Sequence, residues 1–296
     1  MNTDRLYDAV ASKGHVCIGL DTAADYIPLA ERKKAKNDAE AVLAFNKSLI
    51  DATWDVCACF KVQIAYYEEM GISGLSAYSK TLSYIKDKGC LSIGDIKRAD
   101  IADTASRYAK AHFKGEFEAD FVTLNPYMGM DSIEPWLKEA AVLGKGAFVL
   151  MKTSNPGMRD FQYQEIAESA DKNIKRVYDV LGSKMSSLAQ KYRGKSGYGM
   201  FGVVVGCTEK DEAAEIRRAY PDLFFLIPGY GAQGGDAQTV ALLLREGNGG
   251  VVNASRSIIT AWQKEEGAGN ADLSFAAGAA RRAAVKMRDE IMGVIS

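Results

Sequence analysis

Leu91-Ser92-Ile93-Gly94-Asp95-Ile96-Lys97-Arg98-Ala99-Asp100 begins as an apolar run, ends in charges and leads into the amphipathic stretch Ile101–Phe113. The run reads as a strand over Leu91–Asp95 and the stretch behind it as a helix. The same pairing recurs along the chain. Further strand candidates are Val16–Leu20, Cys57–Val62, Phe121–Leu124, Ala147–Met151, Phe201–Val205, Leu223–Ile227 and Gly250–Asn253. The helix candidates between them are Asp38–Asp51, Gly74–Lys88, Asp131–Leu143, Gln164–Gln190, Glu209–Ala219, Asp236–Arg245 and Asp272–Met292. Apolar runs without strict polar alternation fit strands of a parallel sheet that helices cover. Eight strand–helix pairs in 296 residues predict an α/β fold, a (β/α)8 TIM barrel forming a single domain over residues 1–296. A doubly wound open sheet shows the same alternation, because the count does not by itself close the sheet.

Composition narrows the function. With 37 Lys+Arg against 38 Asp+Glu the net charge is -1, which argues against broad nucleic-acid binding, while leaving room for a local positive pocket. No apolar run approaches the roughly 18 residues that span a bilayer, and Met1–Arg5 is followed by no apolar secretory segment. Cys17, Cys57, Cys59, Cys90 and Cys207 are odd in number and scattered. They read as buried thiols of a cytoplasmic protein rather than as a disulfide or zinc framework. The two histidines, His15 and His112, give little basis for a metal site or a Ser-His triad. The connection Lys152–Tyr163 is long for a barrel, carries the turn signal Asn155-Pro156-Gly157, and is expected to be a lid or binding loop.

In such a barrel, chemistry gathers where strands end. The first strand candidate runs into Asp21, the second carries Lys61, and the third ends in Asp95-Ile96-Lys97. A spacing of two places Asp95 and Lys97 on one face of a strand. An acid and a base would then sit side by side at the barrel mouth, within reach of Lys61. Buried charges cost several kcal/mol each to desolvate, so a cluster of them is better explained by function than by stability. Farther along, Pro228-Gly229-Tyr230-Gly231-Ala232-Gln233-Gly234-Gly235 and Asn253-Ala254-Ser255-Arg256-Ser257 follow the last two strand candidates. Glycines allow backbone N–H groups to approach an anion, and Arg256 offers a fork for phosphate oxygens.

With these motifs the sequence resembles the orotidine 5′-phosphate decarboxylase family, in its longer bacterial branch. The resemblance rests on Gly19-Leu20-Asp21, Phe60-Lys61-Val62-Gln63, and Asp95-Ile96-Lys97-Arg98-Ala99-Asp100-Ile101-Ala102-Asp103-Thr104. It continues through Asn125-Pro126-Tyr127-Met128-Gly129, Thr153-Ser154-Asn155-Pro156-Gly157, the Pro228–Gly235 loop and Ser255-Arg256-Ser257-Ile258, in that order.

The resemblance implies decarboxylation of orotidine 5′-phosphate to UMP, with neither metal nor organic cofactor. It implies a catalytic tetrad of Lys61, Asp95, Lys97 and Asp100, with Lys97 as proton donor to C6. It also implies a homodimer in which Asp100, with Ile101 and Thr104, enters the partner's site. Asp21 and Lys61 would hold ribose hydroxyls and Ser154 the pyrimidine. Gln233 would bridge base and phosphate, and Tyr230, Gly234 and Arg256 would hold the phosphate. Asn125 and Pro228 complete the substrate-binding set. Two rivals remain on sequence alone: a related barrel enzyme that uses Mg2+ to hold an enediolate, and a non-catalytic nucleotide-phosphate binder, which has no need of the tetrad.

Overall fold

Apolar strands too short to bury their own two faces must pack on both, and here they do so as a closed cylinder inside a layer of helices. The computed structural model describes residues 1–167, 174–231 and 234–295. Its strands are β1 Val16–Gly19, β2 Cys59–Gln63, β3 Leu91–Arg98, β4 Phe121–Leu124, β5 Gly146–Lys152, β6 Glu165–Ala167, β7 Ile174–Arg176, β8 Phe201–Val205, β9 Phe225–Ile227 and β10 Gly250–Ala254. Eight of them form the barrel in the order β1-β2-β3-β4-β5-β8-β9-β10, and β10 pairs in parallel with β1 (Val16 opposite Val252) to close it. That pairing excludes the open doubly wound sheet.

Two apolar regions follow from the alternation of side chains along each strand. Val16, Ile18, Phe60, Val62, Val122, Val149, Val203 and Val252 pack outward with the helices. Cys17, Cys59, Leu91, Ile93, Phe121, Phe148, Val204, Leu226 and Val251 fill the interior. The helix Asn2–Lys13, which is not among the expected helices, adds Leu6 and Val10 to that interior set. The i, i+4 spacing of these two residues was the available signal. Thr3 Oγ1 donates to the Met200 carbonyl at 3.1 Å and so ties this helix to the edge of β8.

The structure corrects several boundaries. β3 runs on to Arg98, three residues beyond the expected end. The expected helix Asp131–Leu143 divides into a 3-10 turn, Met130–Ser132, and a helix over Glu134–Leu143. The expected helix Gln164–Gln190 is the largest miss. Within it, Glu165–Ala167 and Ile174–Arg176 pair as the antiparallel ribbon β6–β7, with Glu165 opposite Arg176; residues 168–173 lie outside the described residues, and helix begins only at Val177 and runs to Lys191. Apolar residues able to anchor a helix face (Tyr178, Leu181, Met185, Leu188) begin only there. Glu165–Ala167 and Ile174–Arg176 offer no such face, so helix propensity alone did not decide their conformation. No helix among the described residues is long and apolar enough to cross a membrane.

Candidate active site

The interior parity of each strand, continued to its C-terminal end, assembles the site. Beyond Cys59 it gives Lys61 and Gln63. Beyond Ile93 it gives Asp95, beyond Phe121 it gives Thr123, and beyond Val251 it gives Asn253. These residues, with Asp21, line one arc of a cavity of about 290 Å³ at the barrel mouth. Leu150, Val204 and Leu226, from β5, β8 and β9, line the opposite arc. Along the strands, one arc is thus polar and charged and the other apolar.

Within the charged wall, positive and negative groups alternate. Lys61 Nζ lies 2.7 Å from Asp95 Oδ2 and 3.3 Å from Asp21 Oδ1, and Lys97 Nζ lies 2.6 Å from Asp95 Oδ1. Side-chain exposure is 7% for both Lys61 and Asp95 but 47% for Lys97, so the chain of charges runs from the barrel interior toward water. Burial alone would pull the Lys61 ammonium down, but Asp21 and Asp95 outweigh it and hold it well above its ordinary value. Burial would likewise raise Asp95. Lys61 and Lys97 reverse that effect and keep its carboxyl far below the usual carboxylate range. Both groups are therefore charged at neutral pH.

Asp95 and Lys97 do meet, as their spacing predicts, yet not through a regular strand. Lys97 has φ +43°, in the left-handed region, and the β3–β4 register shifts between Gly94 and Arg98. A non-glycine residue held there costs about 1–3 kcal/mol and needs support from its surroundings. Thr123 on β4 supplies it. Its Oγ1 accepts the N–H groups of Ile96 (3.0 Å) and Lys97 (2.9 Å) and donates to Asp95 Oδ1 at 2.8 Å. Gln63 Nε2 donates to Asp95 Oδ2 at 2.8 Å, and Ser255 Oγ donates to Asp21 Oδ2 at 2.8 Å. A Cβ on Gly19 would stand 1.8 Å from Ser255 Oγ, so only glycine lets β10 approach β1 closely enough for that bond.

Sequence reasoning assigned no role to Gln63, Thr123, Asn253 or Ser255. The signal for Thr123 was a lone polar residue in the strand Phe121-Val122-Thr123-Leu124, and for Gln63 a spacing of two from Lys61.

A second cavity, about 330 Å³, adjoins the first and shares Asp21, Pro228 and Asn253 with it. Arg256 lines it and makes no ion pair among the described residues, so its guanidinium is available to an anion. Tyr230 lines it too, with its hydroxyl donating to Glu290 Oε2 at 2.8 Å on the helix Leu273–Ile295. Gly229 and Gly234 have φ of +99° and +92°, as a tight loop requires. The N–H groups of Gly231, Gly234 and Gly235 bond to carbonyls of the loop itself. Gln233 lies outside the described residues.

Thr153, Ser154 and Asn155 line the first cavity, where the connection after β5 begins. The other expected residues lie elsewhere in this chain. Asn125 borders a separate, mostly apolar cavity of about 550 Å³ that has Leu150 in common with the charged one, and its Oδ1 accepts the Tyr127 N–H at 3.0 Å. Asp100 accepts the N–H of Ile101 at 2.8 Å, and Ile101 and Thr104 are exposed. Among the described residues no group of three or more His, Cys, Asp or Glu side chains is placed to hold a metal ion. Asp21 and Asp95 both turn toward the Lys61 ammonium instead.

Fold and site together define a class: a (β/α)8-barrel enzyme with alternating acids and bases on its strand ends and an arginine-lined pocket beside them. Residues 14–270 match the Orotidine 5'-phosphate decarboxylase / HUMPS family, and the chain belongs to that family. It is 55% identical over 291 residues to the orotidine 5'-phosphate decarboxylase of Clostridium acetobutylicum, covering 98% of this chain and 99% of that one. The Clostridium kluyveri protein of the same name is 53% identical over 294 residues, covering 99% and 98%. Among solved structures, a putative orotidine 5'-phosphate decarboxylase from Streptomyces avermitilis superposes with a TM-score of 0.79 at 28% identity, covering 99% of this chain and 95% of that one. The OMP decarboxylase of Leishmania donovani gives 0.75 at 29% identity, covering 99% and 98%.

Proposed function

We propose that this chain, as one barrel domain over residues 1–296, is an orotidine 5′-phosphate decarboxylase that yields UMP in pyrimidine synthesis. It acts as a cytoplasmic homodimer without metal or organic cofactor. Family membership and relatives about half identical over their full length support the activity. The observation that carries the mechanism is the alternation Asp21–Lys61–Asp95–Lys97 along one wall of the mouth. An ammonium already stands between the two carboxylates that would otherwise attract a divalent cation.

Arg256, after β10, binds the phosphate in the second cavity together with Tyr230 and Gly234 of the loop after β9; Gln233 of that loop bridges base and phosphate, and Pro228 lies where the two cavities meet. Asp21 and Lys61 hold ribose hydroxyls, and Ser154 meets the pyrimidine. Asn125 belongs to the substrate-binding set on the side of the loop after β4. That arrangement brings C6 to Lys97. When the bond from C6 to the carboxylate breaks, CO2 leaves and the electron pair stays on C6. The Lys97 ammonium stabilises that developing charge and gives C6 its proton. The half-exposed amine then regains a proton from water. Asp95 holds the Lys97 ammonium in place. Asp100, with Ile101 and Thr104, completes the tetrad from the other subunit, which accounts for its lying apart from the charged wall of its own chain.

The test is turnover of orotidine 5′-phosphate followed by ultraviolet absorbance, with and without a chelator. Turnover that survives chelation and disappears in Lys97→Ala is expected. No turnover, or turnover abolished by chelation, would overturn the reading.

A further inference from the structure

We infer that Thr123 is a positioning residue for the decarboxylation, acting through Lys97 and Asp95. This rests on the mechanism proposed above and extends it to a side chain that is not part of the tetrad. The Thr123 hydroxyl has one proton and two lone pairs, and all are used. The proton goes to Asp95 Oδ1, the same oxygen that receives Lys97 Nζ. The lone pairs take the N–H groups of Ile96 and Lys97, the two residues at which β3 leaves regular pairing. Thr123 is 1% exposed, so water does not readily replace these bonds.

One atom therefore fixes both ends of the Lys97 side chain: its backbone, held at φ +43°, and the carboxylate that its ammonium touches. Neighbouring β4 residues cannot do this. Val122 and Leu124 have the opposite parity and pack outward. Nor can Asp95 alone, since a carboxylate has no proton to give and cannot accept from backbone groups it does not face. A catalytic ammonium displaced by about 1 Å from its working position can lose on the order of 100-fold in rate.

The experiment compares Thr123→Ser, Thr123→Cys and Thr123→Val with wild type and with Lys97→Ala. It measures kcat and KM for orotidine 5′-phosphate and, separately, the Kd for UMP. Thr123→Ser keeps the hydroxyl and should retain at least half of the wild-type kcat. Thr123→Val, of nearly the same shape, should lose roughly 10- to 100-fold in kcat, with the Kd for UMP changed less than threefold. Thr123→Cys, a weak donor and acceptor, should fall between them. A merely structural residue would lower affinity along with kcat or lower the active fraction, and serine would not restore kcat selectively. If Thr123→Val does not fold, equal kcat for the Ser and Cys variants overturns the inference. So does a folded Thr123→Val within threefold of wild-type kcat. Absence of turnover in the wild type would instead refute the decarboxylase reading, so the two failures are distinguishable.

Discussion

Replacing Lys61 by Met tests the charged wall most directly, because it deletes the ammonium while keeping an apolar stem of similar length. Lys61 Nζ contacts Asp95 at 2.7 Å and Asp21 at 3.3 Å with only 7% of its side chain exposed. Breaking a buried pair by removing one partner costs about 3–5 kcal/mol. Asp95 keeps Lys97, Gln63 and Thr123, so the lower end, about 3 kcal/mol, is expected. For a chain of this size that corresponds to a Tm lower by roughly 5–10 °C.

The pH dependence has a definite sign. The raised pKa of Lys61 makes its contribution complete below its unfolded value, near 10.4, and lost only as pH rises through the higher folded value. The depressed pKa of Asp95 makes its contribution complete above its unfolded value, near 3.9, and lost as pH falls through the lower folded one. The penalty of Lys61→Met should therefore be constant from about pH 5 to 9 and shrink below about pH 4. Circular dichroism melts across that range measure it, beside the double variant Lys61→Met/Asp95→Asn. Removing both buried charges leaves neither unpaired, so the double variant should recover at least half of the lost Tm while staying inactive. A single variant within about 2 °C of wild type, or a double variant whose loss is the sum of the two single losses, would refute the buried-pair account.

Lys97→Ala and Asp100→Ala should each be inactive, yet recover about a quarter of wild-type activity when mixed in equal amounts and allowed to exchange subunits. Half of the dimers are then mixed and one site in each of those is intact; no recovery despite exchange seen by mass spectrometry would rule out a shared site. Arg256→Ala should lower kcat/KM far more than kcat and weaken UMP binding, and unchanged UMP affinity by calorimetry would remove Arg256 from the phosphate site. His112 is buried against Trp136, and burial, aided by the Arg98 charge, lowers its pKa to about 4. Between about pH 6.5 and 4 the unfolded chain binds a proton that the folded one does not, so stability falls with pH, by about 3 kcal/mol over that range. His112→Phe should flatten this part of the stability profile, and an unchanged slope in melts from pH 6.5 to 4.5 would contradict it.

The alternation of strand and helix candidates was legible in the sequence because buried parallel strands must be continuously apolar and their covering helices must not be. The positions of Asp21, Lys61, Asp95 and Lys97 at strand ends were legible for the same reason: charges interrupt an apolar run where it reaches the barrel mouth. Closure was not, because β1 and β10 pair across more than 230 residues and nothing local encodes that contact. Nor was the ribbon β6–β7, since a polar stretch with good helix formers has no local reason to prefer a strand; its pairing is decided by what it meets. The geometry of Lys97 shows the division within one residue. A spacing of two was enough to bring it to Asp95. The hydroxyl that supports its left-handed backbone comes from β4, a different strand, whose register against β3 exists only once the barrel is formed.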